Sequence, residues 1–516
     1  MRTMFVQQLS IGVEPISKVR IPNITRDELP PVLRALQYIF VTPEINTKVF
    51  SILGDTFKNI NTNKGRAGMS GWEILVLAVI RNSLDTNYDR LCDFANHHEL
   101  VKKIMGVYTY FGHEPIRKEY GLQTIKDNVK LITEQTINQI NDLVVESGHS
   151  LVKKKEDQKL DINVDSYVFE TNVHFPTDLN LLWDSIRKVI DISCNLSDNY
   201  DIQGWRKEKY WRRTLKGAFR LSARVHKNGG ANKEIRLKAI VSSYLNLSKV
   251  LNGKALETLN ELSKVQSKDI VFLASVLELE RYKGLLTKHI DLVERRIIKD
   301  EKIPASEKLV SIFEQHTEWL QKGKSGRKSV EFGHNLLIAS DQFQFIVYHK
   351  VIEDTPDVAL SKETVINLFE KFPGLLYSIS FDMGFSSKEA KTEIKASGKV
   401  EKLIMAKRGK RNQEEQEEEE SKEFKKLKNK HSRIESDINR LEHNGLNTCP
   451  DKGMTNFKRY AALGVLSYNL HNLGNILIKK DLKTEQKIKQ KQIADLENKK
   501  KAKKNIPKEK NLQIPF

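Results

Sequence analysis

Apolar and polar residues alternate through NVDSYVFETNVHFPTD (163–178), the period of a β-strand, yet Asp165 stands in the middle of the run. The stretch then breaks into a polar loop at His174, Pro176 and Asp178. Upstream the spacing is helical. GWEILVLAVIRNSL (71–84) and TNYDRLCDFANHHELVKKIMG (86–106) each read as one helix, the second capped by Thr86 or Asn87 and closed by Gly106. LQTIKDNVKLITEQTINQINDLVV (122–145) brings Ile125, Val129, Ile132, Ile137 and Ile140 near one face. The polar stretch 146–160 reads as a linker.

From about 180 to 330 the pattern is helical again. Strand signals return at 334–342 and 343–353, followed by a helix (362–372) and an apolar run, GLLYSISFDMGF (374–385). A helix (386–396), a strand (399–407), a charged helix (422–446) closed by Gly445 and a core helix (456–478) complete the series. EEQEEEE (414–420) reads as a loop or as the solvated start of the charged helix, because consecutive side chains on a helix do not converge on a metal. Strands alternating with helices predict an α/β core interrupted by a long helical insert. The expected domains are an N-terminal helical part (1–150), a core in two pieces (158–180 and 331–478), a basic helical insertion (181–330) and a Lys-rich tail (479–516), disordered or loosely helical.

Charge narrows the partners. The 516 residues carry a formal +19, which suggests a polyanion, most often nucleic acid. The densest basic stretch, GWRKEKYWRRTLKGAFRLSARVHK (204–227), mixes Arg206, Lys207, Arg212, Arg213 and Lys216 with Trp205, Tyr210, Trp211 and Phe219. Such mixing suits phosphate tracking, the aromatic rings serving packing or base stacking. Short helices joined by tight turns over 122–145, with Lys126 and Lys130 on the polar side, suit a helix-turn-helix as well as an ordinary bundle. No apolar run is long enough to span a membrane and no secretion signal is expected. Three scattered cysteines argue against a disulfide framework and a zinc ribbon, and fit a reducing cytoplasm.

Three acids fall in comparable places: Asp165 in the first strand, Asp382 at the end of LLYSISFD, and Glu435 in HSRIESDINRLEH. Carboxylates gathered from two strands and a helix form a hard oxygen site suited to Mg²⁺ or Mn²⁺. Two such ions can activate a water or 3′-hydroxyl and stabilise the leaving oxygen of a phosphodiester. Asp161 competes with Asp165 on the same strand face, and Glu442 competes with Glu435 one heptad on.

VDSYVFETNVHFPTD, SFDMGFSS and HSRIESDINRLEHNGLNTCPDKG together resemble bacterial insertion-sequence transposases of the DDE class, ISNCY-type members above all. The resemblance covers roughly 70–475, with LQTIKDNV resembling the helix-turn-helix block before the core. It implies an RNase H-like catalytic core, a catalytic and metal-binding triad at Asp165, Asp382 and Glu435, two Mg²⁺ or Mn²⁺ ions, inverted-repeat ends and target DNA as partners, a homodimer on DNA, and a bacterial, cytoplasmic and nucleoid-associated location. Related transposases place a Tyr, an Arg and a Lys around the glutamate; here those positions hold Lys428, His431 and Glu442, while Arg433 and Arg440 lie nearby for phosphate contact. Metal compensation of Asp165 in its strand completes the expectation, with His174 and Asp178 either supporting the site or contacting DNA, or belonging to a plain polar loop. The rival readings are an RNase H-like nuclease without strand transfer and an inactive, transposase-derived DNA-binding protein.

Overall fold

The computed structural model describes residues 13–504 apart from 59–67, 108, 112–113, 117–118, 229, 231, 322–329, 354, 356 and 408. They form a mostly helical α/β protein that divides into two units, 1–170 with 334–516 and 171–333. The first unit opens with α1 (Leu29–Val41), α2 (Pro43–Phe57), α3 (Gly71–Ser83), α4 (Tyr88–His97) and α5 (Glu99–Met105). A hairpin of β1 (Thr109–Phe111) and β2 (Glu114–Ile116), α6 (Leu122–Val129) and α7 (Glu134–Val152) lead to β3 (Leu160–Thr171).

The second unit holds α8 (Asp178–Tyr200), α9 (Glu208–Lys227), α10 (Lys233–Leu262), α11 (Ile270–Val293) and a short strand, β4 (Glu318–Gln321). The chain returns through β5 (Val330–Asp341), β6 (Ile346–Val351), α12 (Asp357–Lys371), β7 (Leu376–Phe381), α13 (Lys388–Ala396) and β8 (Lys402–Met405). It closes with α14 (Gln413–Glu420), α15 (Lys422–Lys430), α16 (Arg433–Leu441), β9 (Thr448–Cys449) and α17 (Met454–Lys504).

The main sheet runs β6-β5-β3-β7-β8, with β4 pairing the first residues of β5 and β9 pairing β3. β5 and β6 are antiparallel, whereas β3, β7 and β8 are parallel neighbours. Ile162 and Val164 of β3, Ile379 and Phe381 of β7, and Leu403 and Met405 of β8 are buried in one core with α3, α7 and much of α17. The N-terminal helices therefore share the core of the sheet. α3 is apolar all round and every residue of it is buried, as a central core helix requires. Of its polar members, Arg81 is met by Asp451 at 2.6 Å and Glu73 by the Tyr120 hydroxyl at 2.9 Å, while Asn82 Oδ1 is buried without a hydrogen-bond partner among the described residues. Two glycines allow close approach. A Cβ on Gly148 would lie 2.2 Å from the Phe345 ring, and one on Gly474 only 1.8 Å from the Pro31 carbonyl oxygen.

The second unit packs α8–α11 around Leu182, Ile186, Val189, Leu215, Tyr244, Leu251, Leu279 and Leu286. In α8 the buried positions recur at helical spacing and Thr177 caps the first turn by accepting from the Asn180 N–H at 3.2 Å.

Several boundaries differ from the sequence reading. The helix expected over 86–106 is two, because His98 leaves the helical region (φ −82°, ψ 106°) and its Nδ1 caps α5. Asn87 caps α4, and Gly106 closes α5 at φ 73°. Residues 146–152, taken for linker, are the last turns of α7. The acidic run is a helix of its own, α14, with a capping box at Asn412 and Glu415 and ion pairs to Lys391, Lys395, Lys407 and Arg411. The charged helix breaks between α15 and α16 at His431 and Ser432. The Lys-rich tail continues α17 as helix to Lys504. No helix among the described residues is long and apolar enough to cross a membrane.

Candidate active site

β3 and β7 pair in parallel register, Val164 opposite Phe381. The next residue in each case is an acid, Asp165 still within β3 and Asp382 just past β7, so the register sets the two beside each other at the carboxyl end of β7, where α/β sheets hold their ligands. Asp382 begins a tight turn, its carbonyl accepting from the Phe385 N–H at 3.1 Å. Its carboxylate is exposed and has no ion pair among the described residues, while Asp165 is half-buried. The Ser166 N–H donates to Asp165 Oδ1 at 2.7 Å. The expectation that metal alone compensates Asp165 is thereby corrected: burial is partial, and a backbone donor meets one oxygen.

Side chains alternate along a strand, so Asp161, Asn163, Asp165 and Tyr167 share one face. That face meets α15 and α16. Asp161 accepts from Ser378 Oγ and from Lys430 Nζ, both at 2.7 Å. Its two oxygens are thus committed to holding β3, β7 and α15 together, and Asp161 is removed as a rival to Asp165.

His431 follows Lys430. Burial pushes its imidazole down, against the opposing charges of Asp382 and Glu435, and neither ring nitrogen has a hydrogen-bond partner among the described residues. One side chain therefore lies within electrostatic range of both acids. Glu435 and Glu442, seven apart, fall on one side of the helical stretch that α16 opens, and His431 lies in the break just before it. Glu442 lies further along that stretch: burial first, then the Glu442 charge, raises the hydroxyl pKa of Tyr167, two residues beyond Asp165. Glu435 is exposed, without an ion pair among the described residues.

The donor set, all carboxylate oxygen, suits a hard divalent ion. Among the described residues no three His, Cys, Asp or Glu side chains converge closely enough to hold a metal as they stand. Sequence reasoning registered His431 only as a departure from a signature; the signal that could have flagged it is its place one turn before Glu435.

The remaining expected contacts are scattered. Lys126 is half-buried with its Nζ 5.9 Å from the centre of the Tyr88 ring, and Lys130 is exposed, its carbonyl accepting from Arg459 at 2.9 Å. The helix that follows them, α7, is a core helix whose exposed positions are Gln135, Gln139, Asp142, Glu146 and Ser150, an edge without a cation. Arg433 is exposed, and Arg440 lies 5.3 Å above the Tyr468 ring. In the second unit His174 Nε2 lies 2.6 Å from Asp184 Oδ2, and Asp178 pairs with Arg296 at 2.5 Å. Arg206, Lys207, Arg213 and Lys216 are exposed, but Arg212 is held by Glu208 and Asp191. Of the aromatic residues there, Trp205 is buried and donates to Thr258 Oγ1 at 2.9 Å, and Trp211 and Phe219 pack on the helical core. Only Tyr210 is well exposed, at 60%.

No family model, curated protein or solved structure matches the chain.

Proposed function

We propose that the chain is a DNA transposase of an insertion sequence, built on an RNase H-like core and using Asp165, Asp382 and Glu435 to cut and join phosphodiesters. One observation carries the reading: the β3–β7 register that sets two acids side by side, one within β3 and one just past the end of β7, on the face met by α15 and by α16, the helix bearing Glu435. The sheet order supports it, with the first core strand central, an antiparallel pair on one side and two parallel strands on the other. The helical unit interrupts the core directly after that first strand. The +19 charge suits a polyanionic substrate.

Asp165, Asp382 and Glu435 would hold Mg²⁺ or Mn²⁺, which when bound supplies Lewis acidity at the scissile phosphate. The chain's own residues do the rest. Asp165 is oriented by the Ser166 N–H, His431 lies within electrostatic range of Asp382 and Glu435, and the Asp161–Lys430 pair fixes α15 against the strands. Two DNA ends must be brought together for joining, so the acting species is a dimer on DNA in the nucleoid.

The test uses a labelled duplex carrying the inverted-repeat ends that flank the coding region, with a target DNA, in Mg²⁺ and in EDTA. End cutting followed by joined products, both lost in Asp382→Asn, is the expected result. Cutting without joining makes the protein a nuclease, and specific binding without cutting in Mg²⁺ or Mn²⁺ makes it a DNA-binding relic.

A further inference from the structure

Helix α9 carries an unbalanced row of cations. Its one acid, Glu208, is occupied by Arg212 at 2.5 Å. Lys209, Arg213, Lys216, Arg220, Arg224 and Lys227 recur every three or four residues, which places them within an arc of about 80° along about 27 Å of helix. All six are exposed, and none makes an ion pair among the described residues. Several cations elsewhere in the same unit are matched: Arg295 holds Asp291, Glu301 and Glu307, Lys188 holds Glu278, and Lys249 holds Glu294. Like charges one turn apart destabilise a helix, so an unpaired row of this length wants an external counter-charge.

The opposite face of α9 says what that partner is not. Leu215, Ser222 and Val225 are buried, and Phe219 stacks on Trp183 with ring centres 5.9 Å apart. The apolar face is already used inside the bundle, which leaves little to insert into a lipid surface. Single strands are gripped by exposed aromatic platforms, and here Trp205, Trp211 and Phe219 are committed to the core, leaving Tyr210. A straight row of six cations with a single exposed ring beside it matches a regular line of phosphates.

We propose that the α9 row is a docking rail for the backbone of double-stranded DNA, engaged without regard to base sequence. The choice of DNA rests on the function proposed above; the rail itself rests on the charge row. It replaces Arg212 in the expected contact set with Lys209, Arg220, Arg224 and Lys227.

The test is binding of the full chain to a labelled duplex of arbitrary sequence, in EDTA, over a range of KCl. The variant is Arg213→Gln, Lys216→Gln, Arg220→Gln and Arg224→Gln together, with circular dichroism melting to verify the fold. A matched control removes four tail lysines, Lys479, Lys480, Lys483 and Lys487. Each phosphate contact contributes about 0.9 to the slope of log K against log salt, so the α9 variant should bind with a slope shallower by about 3 to 4. The proposal is overturned if the slope is unchanged, if the tail control loses as much as the α9 variant, or if single-stranded RNA competes as well as duplex. Because no metal is present, a protein that cuts no DNA can still show the rail, and one that cuts normally can still lack it.

Discussion

The two ends of the β3–β7 strand pair treat their acids in opposite ways. At the entry end Asp161 is saturated: Ser378 and Lys430 each donate at 2.7 Å, and three elements are joined through one carboxylate. At the exit end, four residues on, Asp165 lies beside Asp382, and no lysine or arginine among the described residues pairs with Asp382. On the face these acids share, Asp161 thus serves architecture, whereas on the function proposed above Asp165 and Asp382 would take an external cation. A carboxylate matched by the protein's own cations stabilises the fold; neighbouring carboxylates repel one another, and a positive charge between them relieves that repulsion.

Substitutions can break this contrast, and the largest effect should come from the exit end. Asp382→Asn should lower Mg²⁺-dependent end cutting by on the order of 10³-fold or more while leaving the melting temperature unchanged or slightly raised. Gel-resolved cutting and calorimetry on one preparation read both. A variant that unfolds instead would place Asp382 with the architectural acids.

Asp451 is the reverse case. It accepts from Arg81 at 2.6 Å and Arg459 at 2.9 Å, and both arginines are buried. Asp451→Ala would strand them, at about 3–5 kcal/mol by denaturant unfolding. Asp161→Ala should cost less, about 1–2 kcal/mol, since its charged partner, Lys430, retains some contact with water and only the neutral Ser378 hydroxyl is buried. Cutting by that variant should stay within about tenfold of the parent wherever it is folded.

Glu435→Gln and Glu442→Gln sharpen the contrast along the helix. His431 lies within electrostatic range of both Glu435 and Asp382, whereas Glu442 lies by Tyr167, so the first should abolish cutting and the second lower it by no more than about tenfold.

The smallest effect lies in the second unit. The hydrogen bond to Asp184 raises the pKa of His174 above 6.5, against an opposing effect of burial. Protonated His174 therefore stabilises fully below pH 6.5, and that contribution fades as pH rises through the raised folded value. His174→Gln should remove this slope from stability–pH curves, a fraction of a kcal/mol after solvent screening, with cutting untouched.

Much of this was legible in the chain. Alternation marked β3, the apolar run into Asp382 marked β7, and helical spacing marked α3 and the first half of α17. What was hidden depended on partners distant in sequence. Nothing local distinguishes Asp161 from Asp165; the difference is Lys430, 269 residues away. The break at His98 is a side-chain cap winning over a continuous apolar pattern, and the break at His431 and Ser432 follows no glycine or proline. Residues 146–152 look like linker because their burial comes from Phe343, Phe345 and Phe372 closing around His149. Their composition gives no hint of that. The basic stretch 204–227 was plain, but its division into a packed face and an exposed row needed the helix and its neighbours.

The central claim of the proposed function is that an ion sits beside Asp165 and Asp382, where β7 ends against the middle of β3. The most direct measurement is Fe²⁺-directed cleavage of the folded chain with ascorbate and peroxide, since iron in a Mg²⁺ site cuts the backbone beside its ligands. Cuts near 165, 382 and 435, suppressed by excess Mg²⁺ and lost in Asp382→Asn, are the predicted result. Cuts confined to the neighbourhood of Asp161 or to 414–420, or no cuts that Mg²⁺ suppresses, would contradict it.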